Sequence, residues 1–255
     1  MNRHDRLKPV LHSLTTALML FTVKICGLTT PGDAALAAAA GADAVGLNFV
    51  AGSPRVLGVD AAQAVAAAVP PGVLKVGVFA GATAVEIRRI AEAVGLDAVQ
   101  LHGHLDGAGP GVDPPTLCAE LAGLTVIRAV RLDSSSDPLA AARAWLAAAA
   151  ALGHPPTMVI VDAPVTRGTA PGHLGGTGAT ADWAALAGAR PLGPPMALAG
   201  GLTPDNVSAA IRASTAAAVD TASGVESAPG RKDPEKLRAF VAAARQALEA
   251  TAKVR

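Results

Sequence analysis

Cys26 is one of only two cysteines in the chain and lies in the run Val23-Lys24-Ile25-Cys26-Gly27-Leu28-Thr29. A short apolar stretch followed by glycine and a turn reads as a β-strand with the thiol at its C-terminal end. In an α/β barrel, reactive groups sit at strand ends of this kind. Taken alone, a free cysteine is more often a small buried hydrophobe. Asp162 closes a second apolar run, Met158-Val159-Ile160-Val161. A carboxylate there is expected to be partly desolvated, which favours its protonated form and suits a general acid; the bland alternative is a turn or cap carboxylate. Deprotonated Cys26 would be the complementary base. A thiol with an ordinary pKa of about 8.5 needs positive surroundings for that role. Arg55, in Ser53-Pro54-Arg55, is the cation expected to supply them. Asp220 ends a third run and could orient a substrate amine or hydroxyl. Gln100 and His102, in Val99-Gln100-Leu101-His102-Gly103, are candidate substrate contacts. His102 and His104 lack an evident third ligand, so no metal site is expected.

Two loops carry small residues of another kind. Gly200-Gly201 precedes Leu202-Thr203-Pro204, and Ser223-Gly224 follows Asp220-Thr221-Ala222. Glycine lets a backbone approach an oxyanion closely, and barrels often bind phosphate in their seventh and eighth loops. Either pair alone could be a tight turn. The two together predict a phosphate site at Gly200, Gly201, Ser223 and Gly224.

The elements that position these residues alternate along the chain. Strands are expected over 22–26, 44–49, 74–79, 98–101, 125–130, 158–162, 195–199 and 217–221. Each is a brief Val-, Ile- or Leu-containing run without strict alternation, as in a parallel sheet buried on both faces. Helical stretches lie between them, over 32–40, 60–69, 84–94, 114–121, 137–152, 179–186, 204–213 and 234–252. Thr30-Pro31, Asp113-Pro114, Asp137-Pro138, Thr203-Pro204 and Asp233-Pro234 read as caps before a first-turn proline. Gly41, Gly95, Gly123 and Gly153 read as stops. Eight strand–helix units in 255 residues predict a single-domain α/β fold, a (β/α)8 TIM barrel. The rival is an open doubly wound sheet, but no Gly-x-Gly-x-x-Gly fingerprint follows the first strand. The Gly-rich stretch 163–178 is a candidate lid or binding loop. Cys118, Trp145 and Trp183 read as core.

Composition excludes several classes. Hydrophobic residues make up 51% and charged residues 16%, so a large core forms and disorder is not expected. The net charge of +1, 2% aromatic content and absence of Tyr argue against nucleic-acid and membrane-surface partners. No apolar stretch reaches the roughly 18 residues of a membrane span. Residues 1–21, with Arg3, Arg6 and Lys8 ahead of a short apolar run, loosely imitate a secretory signal but lack a cleavage site. They are expected to be an extension outside the core, with the barrel domain over 22–255, and the location is expected to be cytoplasmic.

In order along the chain, these motifs resemble the phosphoribosylanthranilate isomerase family of tryptophan biosynthesis. Further marks are Gly41-Ala42-Asp43-Ala44-Val45-Gly46, Val76-Gly77-Val78-Phe79, Gly175-Gly176-Thr177-Gly178, Asn206-Val207, Val225-Glu226 and Gly230-Arg231-Lys232-Asp233. The resemblance runs from about residue 23 to 240. It implies an Amadori rearrangement of N-(5-phosphoribosyl)anthranilate to 1-(2-carboxyphenylamino)-1-deoxyribulose 5-phosphate, without metal or other cofactor. By resemblance, Asp162 opens the furanose as the acid and Cys26 removes the C2′ proton. Arg55 would bind the anthranilate part, Asp220 would assist at the sugar, and the Gly200-Gly201 and Ser223-Gly224 loops would take the phosphate. A small phosphorylated substrate is the expected partner, and the protein is expected to be a monomer or homodimer.

The chain departs from the family pattern at Asn48 on strand two, at His104-Leu105-Asp106 after strand four, and at Ala222. Arg167 and His173 fall in the loop after Asp162. Two other readings compete: a different phosphate-binding barrel enzyme, such as a histidine-pathway aminoaldose isomerase or an indole-forming lyase, and a barrel that only binds a phosphorylated ligand. Cys26 with Arg55 argues against the first, and Cys26, Asp162 and Asp220 together against the second.

Overall fold

The computed structural model describes residues 19–105, 111–132, 137–162, 183, 186 and 189–253. The extension 1–18, Asp106, Asp133, Ser134–Ser136, the stretch 163–178 and most of the expected helix 179–186 lie outside the described residues.

Eight strands hydrogen-bond in chain order into a closed barrel: β1 (Val23–Ile25), β2 (Ala44–Asn48), β3 (Leu74–Phe79), β4 (Ala98–Leu101), β5 (Val126–Arg131), β6 (Met158–Asp162), β7 (Met196–Ala199) and β8 (Ala218–Thr221). Every pairing is parallel, and β1 closes onto β8 through Lys24↔Asp220. Seven helices accompany them among the described residues: α1 (Pro31–Ala39), α2 (Val59–Ala67), α3 (Ala84–Val94), α4 (Thr116–Glu120), α5 (Ala140–Ala151), α6 (Val207–Ser214) and α7 (Pro234–Ala252). A small antiparallel hairpin, β9 (Glu226–Ala228) with β10 (Arg231–Lys232), sits between β8 and α7.

Several helix ends follow the sequence chemistry. Thr30 Oγ1 caps α1 by accepting from Asp33 N, and Asp233 caps α7 by accepting from Glu235 N and Lys236 N. Gly95 ends α3 in the left-handed conformation. Three expected caps differ. Asp113 does not cap α4; its carboxylate is buried against Arg128. Asp137 pairs with Arg143, and α5 begins at Ala140. At the seventh loop, α6 starts beyond the expected Pro204, at Val207. There Asn206 Oδ1 accepts from Thr203 N, an asparagine turn displacing the threonine cap.

The core divides in two. Val23, Ile25, Val45, Leu47, Val99, Leu101, Val159, Val161, Leu198 and Val219 face the helices. The alternate positions, including Ala44, Val76, Ala98, Ile127, Ala129, Met158, Ile160, Ala197 and Ala218, fill the barrel's interior. Strand geometry sends successive side chains to opposite faces. Lys24, Asn48, Gln100, Asp162 and Asp220 therefore carry interior parity, as do Cys26 and His102 just beyond β1 and β4. Phe21, on the extension side of the expected boundary, packs into this interior cluster and is 2% exposed. At the same lower end, Asp43 accepts from Thr22 N, Thr22 Oγ1 and Val23 N and pairs with Arg245 on α7.

Candidate active site

The interior row at the C-terminal ends of the strands contains most of the chemically capable residues. Cys26 follows β1 directly, and its N–H donates to Thr221 O of β8 at 2.7 Å. The thiol packs against Gly46 of β2, where an added Cβ would lie 2.5 Å from Sγ and 3.0 Å from the Cys26 Cα. No side chain larger than hydrogen fits there, so Gly46 makes the space that Cys26 occupies. Lys24, one inward position below, is 0% exposed, and its Nζ donates to Asp220 Oδ1 at 3.0 Å.

The electrostatics of this group are set by burial and by two lysines. Burial pushes the Cys26 thiol above its ordinary range, with Asp220 adding to the rise while Lys24 and Lys232 oppose it. Burial also acts to lower the Lys24 pKa, but Asp220 and then Cys26 outweigh it, so Lys24 is held protonated. Asp220 is pushed up by burial in spite of Lys24. His102 and Asp162 also act on Asp220 through their charges, which places all four groups in one electrostatic neighbourhood.

Arg55 differs from expectation. Its guanidinium is not the thiol's principal counter-charge, because Glu226 takes it in a bidentate pair, Nε–Oε1 2.7 Å and Nη2–Oε2 2.6 Å. The cations that act on Cys26 most strongly are Lys24 and Lys232. Asn48, noted in the sequence as an unusual polar group, organises the loop that carries Arg55. Its Oδ1 accepts from Val50 N and its Nδ2 donates to Ser53 Oγ, which in turn accepts from Arg55 N.

Asp162 ends β6 opposite Ala199 of β7 and Arg131 of β5. Its side chain is 28% exposed, so the expected desolvation is only partial: the strand end opens onto the barrel mouth. His102 Nε2 lies 3.8 Å from Asp162 Oδ2 and Arg131 Nε 3.9 Å from it. Gln100 Oε1 and His102 Nε2 are both buried without a hydrogen-bond partner among the described residues. A buried orphan acceptor and an orphan ring nitrogen on one strand end are suited to a bound polar molecule.

The glycines and serine named for a phosphate site lie on two adjacent loops. Gly200 and Gly201 have φ of +90° and +60°. Ser223 opens a short 3-10 turn, Ser223–Val225. The two loops are tied by Thr221 Oγ1 donating to Leu202 O at 2.7 Å. Among the described residues, no group of three or more His, Cys, Asp or Glu is gathered to hold a metal ion, and no helix is long and apolar enough to cross a membrane. Cys118 is buried core, its thiol pushed up to about 11 chiefly by burial.

Sequence reasoning missed Lys24, Glu226 and Lys232 as site residues. Lys24 carried a usable signal, a lysine centred in an apolar strand two residues before the thiol. Glu226 and Lys232 stood only within motifs that mark the resemblance, and no role at the site followed from those motifs, because their meeting depends on the hairpin.

A closed parallel barrel with a cysteine, two aspartates and two Gly-containing loops at its C-terminal mouth places the protein among the TIM barrels, whose active sites lie at that face. A family model described as N-(5'phosphoribosyl)anthranilate (PRA) isomerase matches residues 23–243. The N-(5'-phosphoribosyl)anthranilate isomerase of Myxococcus xanthus is 43% identical over 227 residues, covering 89% of this chain and 97% of that one. The crystal structure of phosphoribosyl anthranilate isomerase from Thermotoga maritima superposes with a TM-score of 0.73 at 33% identity, covering 89% of this chain and 99% of that one. A further structure, of the isomerase in complex with reduced 1-(o-carboxyphenylamino)-1-deoxyribulose 5-phosphate, gives 0.71 at 32% identity over 89% and 99% of the two chains. The chain belongs to the phosphoribosylanthranilate isomerase family and is an isomerase.

Proposed function

We propose that the protein converts N-(5-phosphoribosyl)anthranilate to 1-(2-carboxyphenylamino)-1-deoxyribulose 5-phosphate, a step of tryptophan biosynthesis, with Asp162 as general acid and Cys26 as general base. The observation that carries this reading is the shared interior row: Cys26, Asp220 and Asp162 carry the same parity at the strand ends, and Asp220 feels Asp162 on one side and acts on Cys26 on the other. Asp162, open to the mouth, protonates the furanose ring oxygen, and the ring opens to a Schiff base. Cys26, already ionised to the thiolate, then takes the C2′ proton and becomes the neutral thiol. The resulting enolamine collapses to the ketone as carbon 1′ gains a proton, so the net change is a hydrogen moved from C2′ to C1′. No redox partner is needed for that balance.

Each remaining group has a physical task. Lys24 is the fixed positive charge that favours the Cys26 thiolate, the form able to take the proton. Asp220 anchors Lys24 and can accept from a sugar hydroxyl or the substrate amine. Gln100 and His102 offer their unpartnered polar atoms to the same molecule. Arg55 takes the anthranilate carboxylate, and the Gly200-Gly201 and Ser223-Gly224 loops take the phosphate through backbone N–H groups. Holding both ends fixes the reacting carbons between acid and base.

The test is the loss of anthranilate-type fluorescence from freshly generated phosphoribosylanthranilate when purified protein is added. Cys26→Ala and Asp162→Asn should each reduce turnover by about 10²-fold or more with the fold intact, as removal of a general base or acid does. Full turnover in either variant would overturn that residue's role. Binding of the substrate by folded wild type without turnover would favour a binding-only barrel.

A further inference from the structure

The hairpin β9–β10 adds two buried charges to the barrel mouth, and the reaction described above uses neither. Glu226 and Lys232 are register partners across it. Glu226 Oε1 accepts from Arg55 Nε at 2.7 Å and from Lys232 Nζ at 2.8 Å, while Oε2 accepts from Arg55 Nη2 at 2.6 Å. Lys232 Nζ also donates to Ala222 O at 2.9 Å, and Lys236 Nζ donates to Glu226 O at 2.9 Å. The hairpin is tied to the barrel where Thr29 Oγ1 donates to Gly230 O at 2.5 Å, and it is closed at its base where Asp233 N donates to Val225 O at 2.9 Å.

We propose that Glu226, buttressed by Lys232, is a positioning residue: it fixes the guanidinium of Arg55 so that its outer edge is presented to the carboxylate of the substrate's aromatic part. A guanidinium has five N–H groups in one rigid plane. Glu226 engages Nε and one hydrogen of Nη2. Among the described residues both Nη1 hydrogens and the second Nη2 hydrogen have no partner, and they form the end-on fork that grips another carboxylate with two bonds. Without Glu226, an arginine side chain with several free torsions would have to be ordered by the substrate itself, which weakens binding. Gly27 contributes to the same geometry. An added Cβ would lie 2.3 Å from Arg55 Cδ, and its φ is +73°.

The charge balance fits a fixed anion between two cations. Burial pushes the Glu226 carboxyl up, but hydrogen bonds from Arg55 and Lys232 outweigh it and hold it below the usual carboxylate range. Ala222, where the family pattern has a serine, contributes its backbone carbonyl to Lys232, which needs no hydroxyl.

The inference rests on Arg55 binding the substrate carboxylate, and the experiment separates the two. KM and kcat for phosphoribosylanthranilate are compared in wild type, Arg55→Ala, Glu226→Gln, Glu226→Asp and the Arg55→Ala/Glu226→Gln double variant, each with a thermal unfolding curve. Glu226→Gln should raise KM about tenfold with kcat changed less than about twofold, a binding effect rather than a chemical one. Glu226→Asp should recover part of the KM, and the double variant should match Arg55→Ala alone, since the two residues act as one unit. If Glu226→Gln does not fold, Glu226→Asp, which keeps the charge, carries the test: raised KM with kcat retained supports the role. An unchanged KM in Arg55→Ala would overturn the Arg55 reading, and the positioning role with it. A raised KM in Arg55→Ala alongside wild-type KM in both Glu226 variants, or fully additive effects in the double variant, would overturn the positioning role alone.

Discussion

Lys24 Nζ lies 3.0 Å from Asp220 Oδ1 across the register pair where β1 closes the barrel onto β8. Both side chains are buried, so each desolvated charge depends on the other, and removal of one leaves the other uncompensated. The pair places a permanent ammonium next to the thiolate that the proposed chemistry protonates. It does so at the cost of a second charge, Asp220, which raises the thiol's pKa.

The sign of the balance is testable through the pH dependence of thiol reactivity. Burial leads, so Cys26 titrates above the ordinary 9.0 despite Lys24 and Lys232. The rate of alkylation by iodoacetamide should therefore rise with pH through a midpoint above that of an exposed thiol. Cys118 titrates near 11 and sits in the core, so Cys118→Ala serves as background. Lys24 lowers the Cys26 value more than Asp220 raises it. Lys24→Met should therefore move the midpoint further upward and slow the isomerase at neutral pH. A midpoint that falls in Lys24→Met would reverse the assigned role.

Gly46→Ala should reduce activity far more than it reduces stability. The new methyl would meet Cys26 Sγ at 2.5 Å and the Cys26 backbone at 3.0 Å. The sulfur can rotate away, but the backbone contact forces a shift at the end of β1 as well. A small overpacking strain of about 1–3 kcal/mol is expected in stability. Because a displacement of about 1 Å at a reacting group costs roughly 10²-fold in rate, kcat should fall by that order. Wild-type kcat in this variant would show that the thiol's present position is not the working one.

Much of this arrangement was legible before any coordinates. The strands at 74–79, 98–101 and 158–162 and the helices at 84–94 and 234–252 are found where their apolar periods and caps place them. Strand ends locate Cys26, Asp162 and Asp220 because a barrel converts a position along the chain into a position on one face. Pairwise chemistry was less legible. Asp113 before a proline has a cap's local pattern, yet it is claimed by Arg128, fifteen residues away, through a contact only the closed sheet creates. Arg55 is a candidate counter-charge from the sequence because a reactive thiol needs a cation near it. Glu226, which neutralises it, is 171 residues further on. Local sequence reports strand parity and caps well, whereas long-range charge partners depend on how loops fold over the mouth.

Acid should weaken the fold at both ends of the barrel. At the lower end, burial pushes the Asp43 carboxyl up, but bonds from Thr22, Arg245 and Val23 outweigh it, so its folded value lies below 3.8. Glu226 at the mouth is likewise below its ordinary 4.5. A carboxylate depressed in the folded state contributes stability that is fully present above its unfolded pKa and is lost as pH falls through the folded one. Urea unfolding should therefore show stability falling from about pH 5 downward. Asp43→Asn should lower stability at pH 7 by about 1 kcal/mol, since the site is only half-buried, and flatten part of that decline. An unchanged pH slope in Asp43→Asn would remove it from the account.

The Arg128–Asp113 pair makes the opposite kind of stability prediction, because neither side chain is exposed. Arg128 Nη1 donates to Asp113 Oδ2 at 2.9 Å, Nη2 donates to Gly103 O at 2.7 Å, and the guanidinium stacks on Trp145 at 4.8 Å from the ring centre. Asp113 also accepts from Gly81 N and Gly103 N, so it joins the loops after β3 and β4, the second of which leaves the strand through His102. Asp113→Ala strands the arginine in the core and frees two backbone donors, and should cost about 3–5 kcal/mol. Replacing both charges, as Asp113→Leu with Arg128→Met, removes the uncompensated ion and should recover part of that loss. It cannot restore the two loop bonds. The double variant should thus be more stable than Asp113→Ala in urea unfolding, yet bind substrate less tightly than wild type because Gly103, next to His102, loses its bond to Asp113. A double variant less stable than Asp113→Ala would mean that the arginine is satisfied without its carboxylate and that the loop bonds carry the stability.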